Sequence, residues 1–210
     1  MPSTATYAYV AASVAAIGLS VGAFYAMSPS GDFAECGGGV ASGVASIGGP
    51  FTLVSETGET VTEADVIDKP TLLYFGYTFC PDVCPIDAAV MAQAGSILEE
   101  QGHEVNRVFI SFDPKRDTPE VLADFTDNLD EDMLGLTGSR EQVDAAVKAY
   151  RAYYNIVDGA GDEEFYLIDH TSFTYFMDPV QGLLTIFRTG DAPDAIAETA
   201  SCYLDNLPSA

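Results

Sequence analysis

Residues Tyr74–Pro85 read YFGYTFCPDVCP, and this stretch places two of the chain's four cysteines four positions apart, each followed by proline. It overlaps the end of an apolar run of strand length, Thr71–Phe75, and leads into a segment of helical composition and spacing, Pro85–Glu100. Cys80 and Cys84 are therefore predicted to lie where a central strand passes into a helix. Ligands and chemistry tend to gather at this position in α/β sheets.

The segments on either side of this turn alternate between strand and helix patterns. Asn106–Phe112 is a second apolar run, and two helix starts follow it, one capped by Thr118 and one by Ser139. Two strands around Val180–Gly182 and a last helix end the chain, and an earlier β-hairpin is predicted around Gly58. This order of elements predicts an α/β fold.

The chain also has an N-terminal appendage. After a short segment, 1–6, residues 7–27 carry no charge, and as a helix they would be about 31 Å long, enough to cross a bilayer. A cleaved signal peptide is the alternative, although no clear Ala-x-Ala site follows. Residues 28–48 include a Gly/Ala/Ser-rich run and are predicted to form a flexible linker. The folded domain is then predicted to span residues 49–210.

The charge balance excludes one large class of partner. The chain has 32 acidic residues and only 8 basic ones, whereas nucleic-acid binding needs clustered lysines and arginines, so no nucleic acid is expected. An acidic surface suits solubility or the attraction of a cationic partner. The absence of an arginine- and serine-rich presequence favours a bacterial envelope protein. We therefore predict a single-pass protein of the bacterial inner membrane, with its domain in the periplasm.

The cysteine pair permits several kinds of chemistry. At a helix N-terminus, two thiols four residues apart lie on one side of the turn, and the free amides there favour thiolates. The pair could close a structural disulfide, exchange disulfides or bind a metal. Of the two histidines, His103 lies in a polar turn and is interpreted as solvated, whereas His170 directly precedes a predicted strand. His170 could be a third ligand or a structural residue; two thiolates and an imidazole suit Cu(I), Cu(II) or Zn(II).

Four motifs follow one another in an order that resembles the Sco/SenC family of copper-binding assembly proteins: YFGYTFCPDVCP, SFDPKRDTPE, GLTGS and DHTSFTYFMDP. The resemblance covers residues 48–206. It implies a membrane-tethered thioredoxin-like domain, here with the N-terminal hairpin as an extension and a single transmembrane helix before it. It also implies that Cys80, Cys84 and His170 bind one copper ion per chain, as Cu(I), Cu(II) or both.

The resemblance further implies a role in assembling the dinuclear copper site of cytochrome c oxidase. That role would be copper delivery, reduction of the target cysteines, or both, with subunit II of the oxidase or another copper protein as partner. Two alternatives stay open: a membrane-anchored thiol–disulfide oxidoreductase that uses Cys80 and Cys84, and a copper or redox sensor. Enzymatic activity therefore stays undecided between a metallochaperone and a thiol–disulfide reductase.

Two further features are interpreted from the residues. Leftover cysteines in an oxidising compartment usually pair, so Cys36 and Cys202 are predicted to form a structural disulfide. The segment Asp113–Pro119, DPKRDTP, is interpreted as a helix entry with a cap and an Arg116–Asp pair, in preference to a wall beside the copper loop or part of the partner surface.

Overall fold

The computed structural model describes Cys36 and residues 47–157 and 166–207. The predicted anchor, residues 7–27, and most of the predicted linker lie outside these residues. Within the described ranges, no helix is both long enough and apolar enough to cross a bilayer.

A seven-stranded mixed sheet forms the centre of the domain, with a separate two-stranded sheet beside it. In chain order the elements are β1 (Thr52–Ser55), β2 (Thr60–Thr62), α1 (Glu63–Val66), β3 (Thr71–Gly76), α2 (Val83–Glu100), β4 (Asn106–Ser111), α3 (Pro119–Asp127), β5 (Met133–Thr137), α4 (Arg140–Ala149), β6 (Tyr154–Val157), β7 (Leu167–His170), β8 (Phe173–Asp178), β9 (Gly182–Arg188) and α5 (Pro193–Asp205). The strand order of the large sheet is β2-β1-β5-β4-β3-β8-β9. The predicted α/β class is confirmed.

The middle of the sheet decides where the functional loops meet. Strand β3 is buried along its whole length and runs parallel to β4, with Gly76 opposite Ser111 at their carboxyl ends. The two following loops therefore leave the sheet at the same edge. Strand β8 runs antiparallel to β3, and its first residues lie beside the end of β3, with Thr174 opposite Tyr74. The connection into β8 thus reaches this edge as well.

The predicted N-terminal hairpin is confirmed, and it forms part of the large sheet. Strands β1 and β2 pair antiparallel, with Thr52 opposite Thr62. Gly58 takes a φ of +83° in the turn between them, a conformation that glycine adopts without steric cost. Strand β1 also pairs with β5, so the hairpin extends the sheet at one side.

The predicted helix caps are confirmed. The Thr118 side chain accepts a hydrogen bond from the Val121 amide at the start of α3, and Ser139 accepts one from the Gln142 amide at the start of α4. Helix α2 starts at Val83, two residues before the predicted position. Cys84 is therefore the second residue of the helix and belongs to its first turn.

Three strands were not predicted. Strand β5 has five residues with a glycine in the middle, a weak pattern for a buried strand. Strands β6 and β7 form the two-stranded sheet, in which Tyr154 lies opposite His170. The sequence placed His170 before a strand, whereas it is the last residue of β7. This strand forms only through pairing with β6, which ends ten residues before β7 begins.

Two contacts attach the C-terminal helix to distant parts of the chain. A disulfide joins Cys36 to Cys202 in α5, with the two Cα atoms 5.6 Å apart. The Nε2 atom of His103 lies 3.1 Å from the Ser201 hydroxyl and 3.6 Å from an Asp205 carboxylate oxygen. The interpretation of His103 as a solvated loop residue is wrong, because only 21% of its side chain is exposed and its ring contacts two residues of α5.

Candidate metal centre

The structure brings three soft donor atoms together from two distant parts of the chain. Cys80 lies in the turn after β3, Cys84 in the first turn of α2 and His170 at the end of β7. The two sulfurs and a ring nitrogen of His170 all lie within 4.8 Å of one another. The Cys84 sulfur is 3.2 Å from His170 Nε2. Among the described residues, this is the group of histidine, cysteine and acidic side chains whose geometry suits a metal ion.

The backbone fixes the tautomer of His170. Its Nδ1 lies 2.9 Å from the carbonyl oxygen of Thr171. A carbonyl can only accept a hydrogen bond, so Nδ1 carries the proton and Nε2 keeps a free lone pair. That lone pair faces Cys84. Metal-binding histidines are commonly oriented by such a hydrogen bond from the other ring nitrogen.

The two cysteines differ in their surroundings. Cys84 is fully buried, and burial raises the pKa of its thiol. The sequence predicted that the helix start would favour thiolates at both positions; at Cys84 the loss of hydration outweighs this effect. Cys80 keeps 8% of its surface exposed, and its sulfur accepts a hydrogen bond from the Cys84 amide at 3.4 Å. Cys80 is therefore the accessible thiol of the pair.

The donor set fits a thiophilic metal ion. Metal–sulfur and metal–imidazole bonds in proteins are about 2.3 Å and 2.0 Å long, so donors that share an ion lie roughly 3 to 4 Å apart. Small side-chain rotations would bring these three donors to that spacing. Burial also lowers the pKa of His170, which keeps the imidazole neutral and able to bind a metal.

A narrow cleft leads to the donors. It has a volume of about 270 Å³, and the cysteine turn forms one side while β7 and the connection to β8 form the other. Ten residues line it: Tyr77, Cys80, Pro81, Asp82, Val83, Leu167, Ile168, Asp169, His170 and Ser172. An incoming ion or ligand therefore approaches the site between the turn and β7.

Aromatic rings hold His170 in place on two sides. The Tyr77 ring meets it edge to face, with the centroids 5.8 Å apart, and the Phe112 ring lies 5.2 Å away. The Ile168 amide donates a hydrogen bond to the Tyr77 hydroxyl at 3.3 Å, which ties β7 to the strand that leads into the cysteine turn. Burial raises the pKa of Tyr77 to about 12, so its hydroxyl stays protonated.

The loop after β4 supports both halves of the site. The side chain of Arg116 forms an ion pair with the buried Asp113, and Asp113 accepts a hydrogen bond from the Tyr166 hydroxyl at 2.6 Å. The Arg116 guanidinium also lies 4.8 Å from the centre of the Phe79 ring. Tyr166 precedes β7 and Phe79 precedes Cys80, so Arg116 connects the histidine strand to the cysteine turn.

A second residue of this loop fixes the cysteine turn directly. Buried Asp117 accepts hydrogen bonds from the Thr78 amide at 3.0 Å, from the Thr78 hydroxyl at 2.6 Å and from the Ser111 hydroxyl. The interpretation of Asp113–Pro119 as a helix entry without a role beside the cysteine turn is therefore wrong. The segment is both the entry to α3 and a wall beside the cysteine turn.

A buried carboxylate lies one helical turn beyond Cys84. Asp87 accepts a hydrogen bond from the Tyr74 hydroxyl at 3.2 Å and another from the Thr189 hydroxyl at 2.6 Å. These bonds join α2 to β3 and to the end of β9, so they hold the first turn of the helix against the sheet. Asp87 was not predicted as a site residue, because a single acidic residue in a helix carries no signal of a functional role.

The comparisons with known proteins agree with this architecture. The family model described as SCO1/SenC matches residues 40–205. The chain belongs to the SCO1/SenC family. Protein SenC of Rhodobacter capsulatus is 50% identical over 204 residues, which cover 97% of this chain and 91% of the relative. The mitochondrial SCO1 homologues of human and of Arabidopsis thaliana are 37% and 36% identical, and the match spans about half of their length, 53% and 48%.

Solved structures of the SCO1/SenC family superpose well. The copper-bound ScoI of Arabidopsis thaliana has a TM-score of 0.73 at 33% identity and covers 77% of this chain and 99% of its own. Copper-bound yeast Sco1 has a TM-score of 0.73 at 30% identity, covering 79% and 92%. The predicted thioredoxin-like fold of this family is confirmed. Relatives of the chain thus hold copper, and this chain has a Cys-Cys-His group.

Proposed function

We propose that the protein binds one copper ion between Cys80, Cys84 and His170 and takes part in assembling the dinuclear copper site of cytochrome c oxidase. The convergence of two thiols and an oriented imidazole within 4.8 Å of one another, at a cleft lined by Cys80 and His170, carries this proposal. Copper-bound relatives at 33% and 30% identity support the choice of metal. Subunit II of the oxidase, or another copper protein, is the proposed partner.

We also propose that residues 7–27 anchor the protein in the bacterial inner membrane and that residues 49–210 face the periplasm. The uncharged run of residues supports the anchor. In this arrangement the domain meets the periplasmic side of its membrane-bound target.

Copper enters as cargo, and the protein's own groups determine how it is held. Thiolates bind Cu(I), so the thiols of Cys80 and Cys84 must be reduced and must lose their protons on binding. The Thr171 carbonyl holds the Nδ1 proton of His170, so the Nε2 lone pair is available to the metal without further proton transfer. Oxidation of the two cysteines to a disulfide would remove two of the three ligands.

A second function, reduction of the target's cysteines, is favoured by the asymmetry of the pair. A Cys80 thiolate would attack the target disulfide and release one target thiolate, leaving a mixed disulfide. Cys84 would then attack the Cys80 sulfur, releasing the second target thiolate and closing the Cys80–Cys84 disulfide. The two target sulfurs gain the two electrons that the cysteine pair loses. Cys80, which keeps 8% of its surface exposed and whose sulfur accepts an amide hydrogen bond, suits the attacking role, and the fully buried thiol of Cys84 suits the second step.

Copper titration of the reduced full-length protein tests the proposal. We expect one tightly bound Cu(I) per chain, with affinity lost in Cys84→Ser and in His170→Ala. His103→Ala is the matched control, because it removes the chain's other histidine and should leave the affinity unchanged. Weak copper binding whose affinity is the same in the wild type and in His170→Ala, together with rapid dithiol exchange, would instead identify a thiol–disulfide oxidoreductase.

A further inference from the structure

The exposed apolar side chains of the domain are concentrated around the cleft. Seven large hydrophobic side chains are exposed among the residues that the structure describes, and six of them belong to the cysteine turn, to the first turn of α2 or to the β6–β7 sheet and its preceding residue. These six are Phe79, Tyr153, Ile86, Ile156, Val157 and Leu167. We call them the apolar rim. Scattered apolar residues on a surface are ordinary, whereas a group gathered around a functional cleft marks an interaction site.

The rim is connected to the donors through neighbours in the chain and through strand pairing, since Val157 lies opposite Leu167 in the β6–β7 sheet. Phe79 directly precedes Cys80, Ile86 follows Cys84 by two residues, and Leu167 lines the cleft itself. Phe79, Ile86 and Leu167 are each more than half exposed, at 53%, 56% and 53%.

The buried position of the site explains why a partner would cover this rim. Cys84 has no exposed surface, and His170 is half-buried and packs against the Tyr77 and Phe112 rings. A second protein that takes over the ion must bring its own ligands within bonding distance, about 2 to 2.5 Å of the metal. It can do so only if its surface closes over the cleft mouth. The rim is the protein surface that such a closure would bury.

Charge at the mouth indicates the kind of partner. Asp82 and Asp169 are exposed and line the cleft from opposite sides. Behind the rim, Arg116 is paired with Asp113, and Lys115 lies 5.8 Å from the centre of the Tyr166 ring. Because the whole chain has a formal net charge of −24, its long-range field attracts a basic surface.

We propose that the apolar rim is the docking surface for the protein that exchanges copper with this site. The partner carries an apolar patch bordered by lysines and arginines around its own copper-binding cysteines. The rim supplies contact area that excludes water from the cleft mouth, and the acidic surface around it increases the association rate. This inference rests on the proposed function. It adds which face of the domain binds the partner and which side chains the partner presents.

Copper transfer from rim variants tests the proposal. The probe is the reduced, copper-free soluble domain of subunit II from the organism's own cytochrome c oxidase, and its loading is followed by the absorption of the assembled copper site. We expect Ile86→Ser/Ile156→Ser, which changes two rim residues outside the cleft lining, to bind copper like the wild type but to load the probe about tenfold more slowly. Val180→Ser is the control, since Val180 is 83% exposed in the β8–β9 turn, away from the rim.

Each outcome decides between the two proposals. Equal loading rates for the rim variant, the control and the wild type would overturn the docking surface while leaving the proposed function intact. Failure of the wild type to load the probe would overturn the proposed function and this partner with it. The wild-type rate should also fall as salt rises from about 0.05 M to 0.5 M, because salt screens the attraction between opposite charges. A rate that rises or stays constant would contradict the basic character of the partner.

Discussion

The guanidinium of Arg116 lies 3.6 Å from the centre of the Tyr166 ring, and its Nη1 donates a hydrogen bond to the Tyr166 carbonyl oxygen at 2.9 Å. Tyr166 directly precedes the strand that ends at His170. On its other side the same guanidinium faces Phe79, which precedes Cys80. One side chain therefore joins the two chain segments that supply the metal donors, and these lie 86 residues apart between Cys84 and His170.

Arg116→Met should loosen this connection. The change removes the charge partner of fully buried Asp113, and breaking a buried pair in this way costs roughly 3 kcal/mol in the free energy of unfolding. In the folded variant we expect copper affinity to fall by about 10-fold to 100-fold, the typical effect of changing a group that orients metal ligands. Urea unfolding and a competitive Cu(I) titration measure the two effects.

The control for this variant is Arg188→Met, which removes an exposed arginine at the end of β9. Unchanged copper affinity in Arg116→Met, with a thiolate-to-Cu(II) absorption band like that of the wild type, would show that the connection does not orient the ligands.

Asp117→Asn should change how stability depends on pH. Burial raises the pKa of Asp117 above its ordinary value of 3.8. The folded state therefore binds this proton more tightly than the unfolded state, and the resulting stabilisation is complete below 3.8 and is lost as pH rises through the raised pKa. Asparagine stays neutral and can still bond Thr78 and Ser111. The free energy of unfolding of the variant, relative to that of the wild type, should therefore fall as the pH is lowered. Urea unfolding of both proteins at about five pH values between pH 3 and pH 8 measures this difference.

A constant difference in unfolding free energy between the two proteins across this range would contradict the assignment. Asp117→Ala serves as the control, because it also removes the titrating group but leaves the Thr78 amide without its partner. Its free energy of unfolding should be lower by about 1–3 kcal/mol at neutral pH.

The two site cysteines should react with alkylating agents at different rates. Cys80 keeps 8% of its surface exposed and its sulfur accepts an amide hydrogen bond, whereas Cys84 has no exposed surface and a thiol pKa raised by burial. We expect iodoacetamide to modify Cys80 at least about ten times faster than Cys84 in the reduced, copper-free protein. Peptide mass spectrometry of timed samples measures both rates. In urea the rates should become similar, and equal rates in the native protein would contradict the described burial.

Removal of the Cys36–Cys202 disulfide should affect stability without affecting the metal site. The bond closes a loop with a sequence separation of 166 residues, for which the chain-entropy model gives a stabilisation of about 2–5 kcal/mol after allowance for strain. Cys36→Ala/Cys202→Ala should therefore unfold at lower urea concentration and keep its Cu(I) affinity. A loss of copper affinity in this variant would show that the disulfide also shapes the cleft.

The sequence by itself determined the elements whose signals are local. The apolar runs of β3 and β4, the Thr118 and Ser139 caps and the turn at Gly58 each depend on a few neighbouring residues, and each was predicted at its position. The order of four motifs was enough to indicate the family. Cys80 and Cys84 could be placed at a strand-to-helix turn because only a short stretch of chain separates them.

The tertiary structure decided what depends on residues far apart in the chain. Strand β7 exists because it pairs with β6, so the position of His170 at a strand end could not be read from its own neighbours. The raised thiol pKa of Cys84 follows from burial by the folded sheet and overrides the local preference of a helix start. Arg116 looked like a local partner for an aspartate, but parallel pairing of β3 and β4 places its loop at the same sheet edge as the cysteine turn. Pairing between strands that are distant in the chain thus brings Cys80, Cys84 and His170 together in one site.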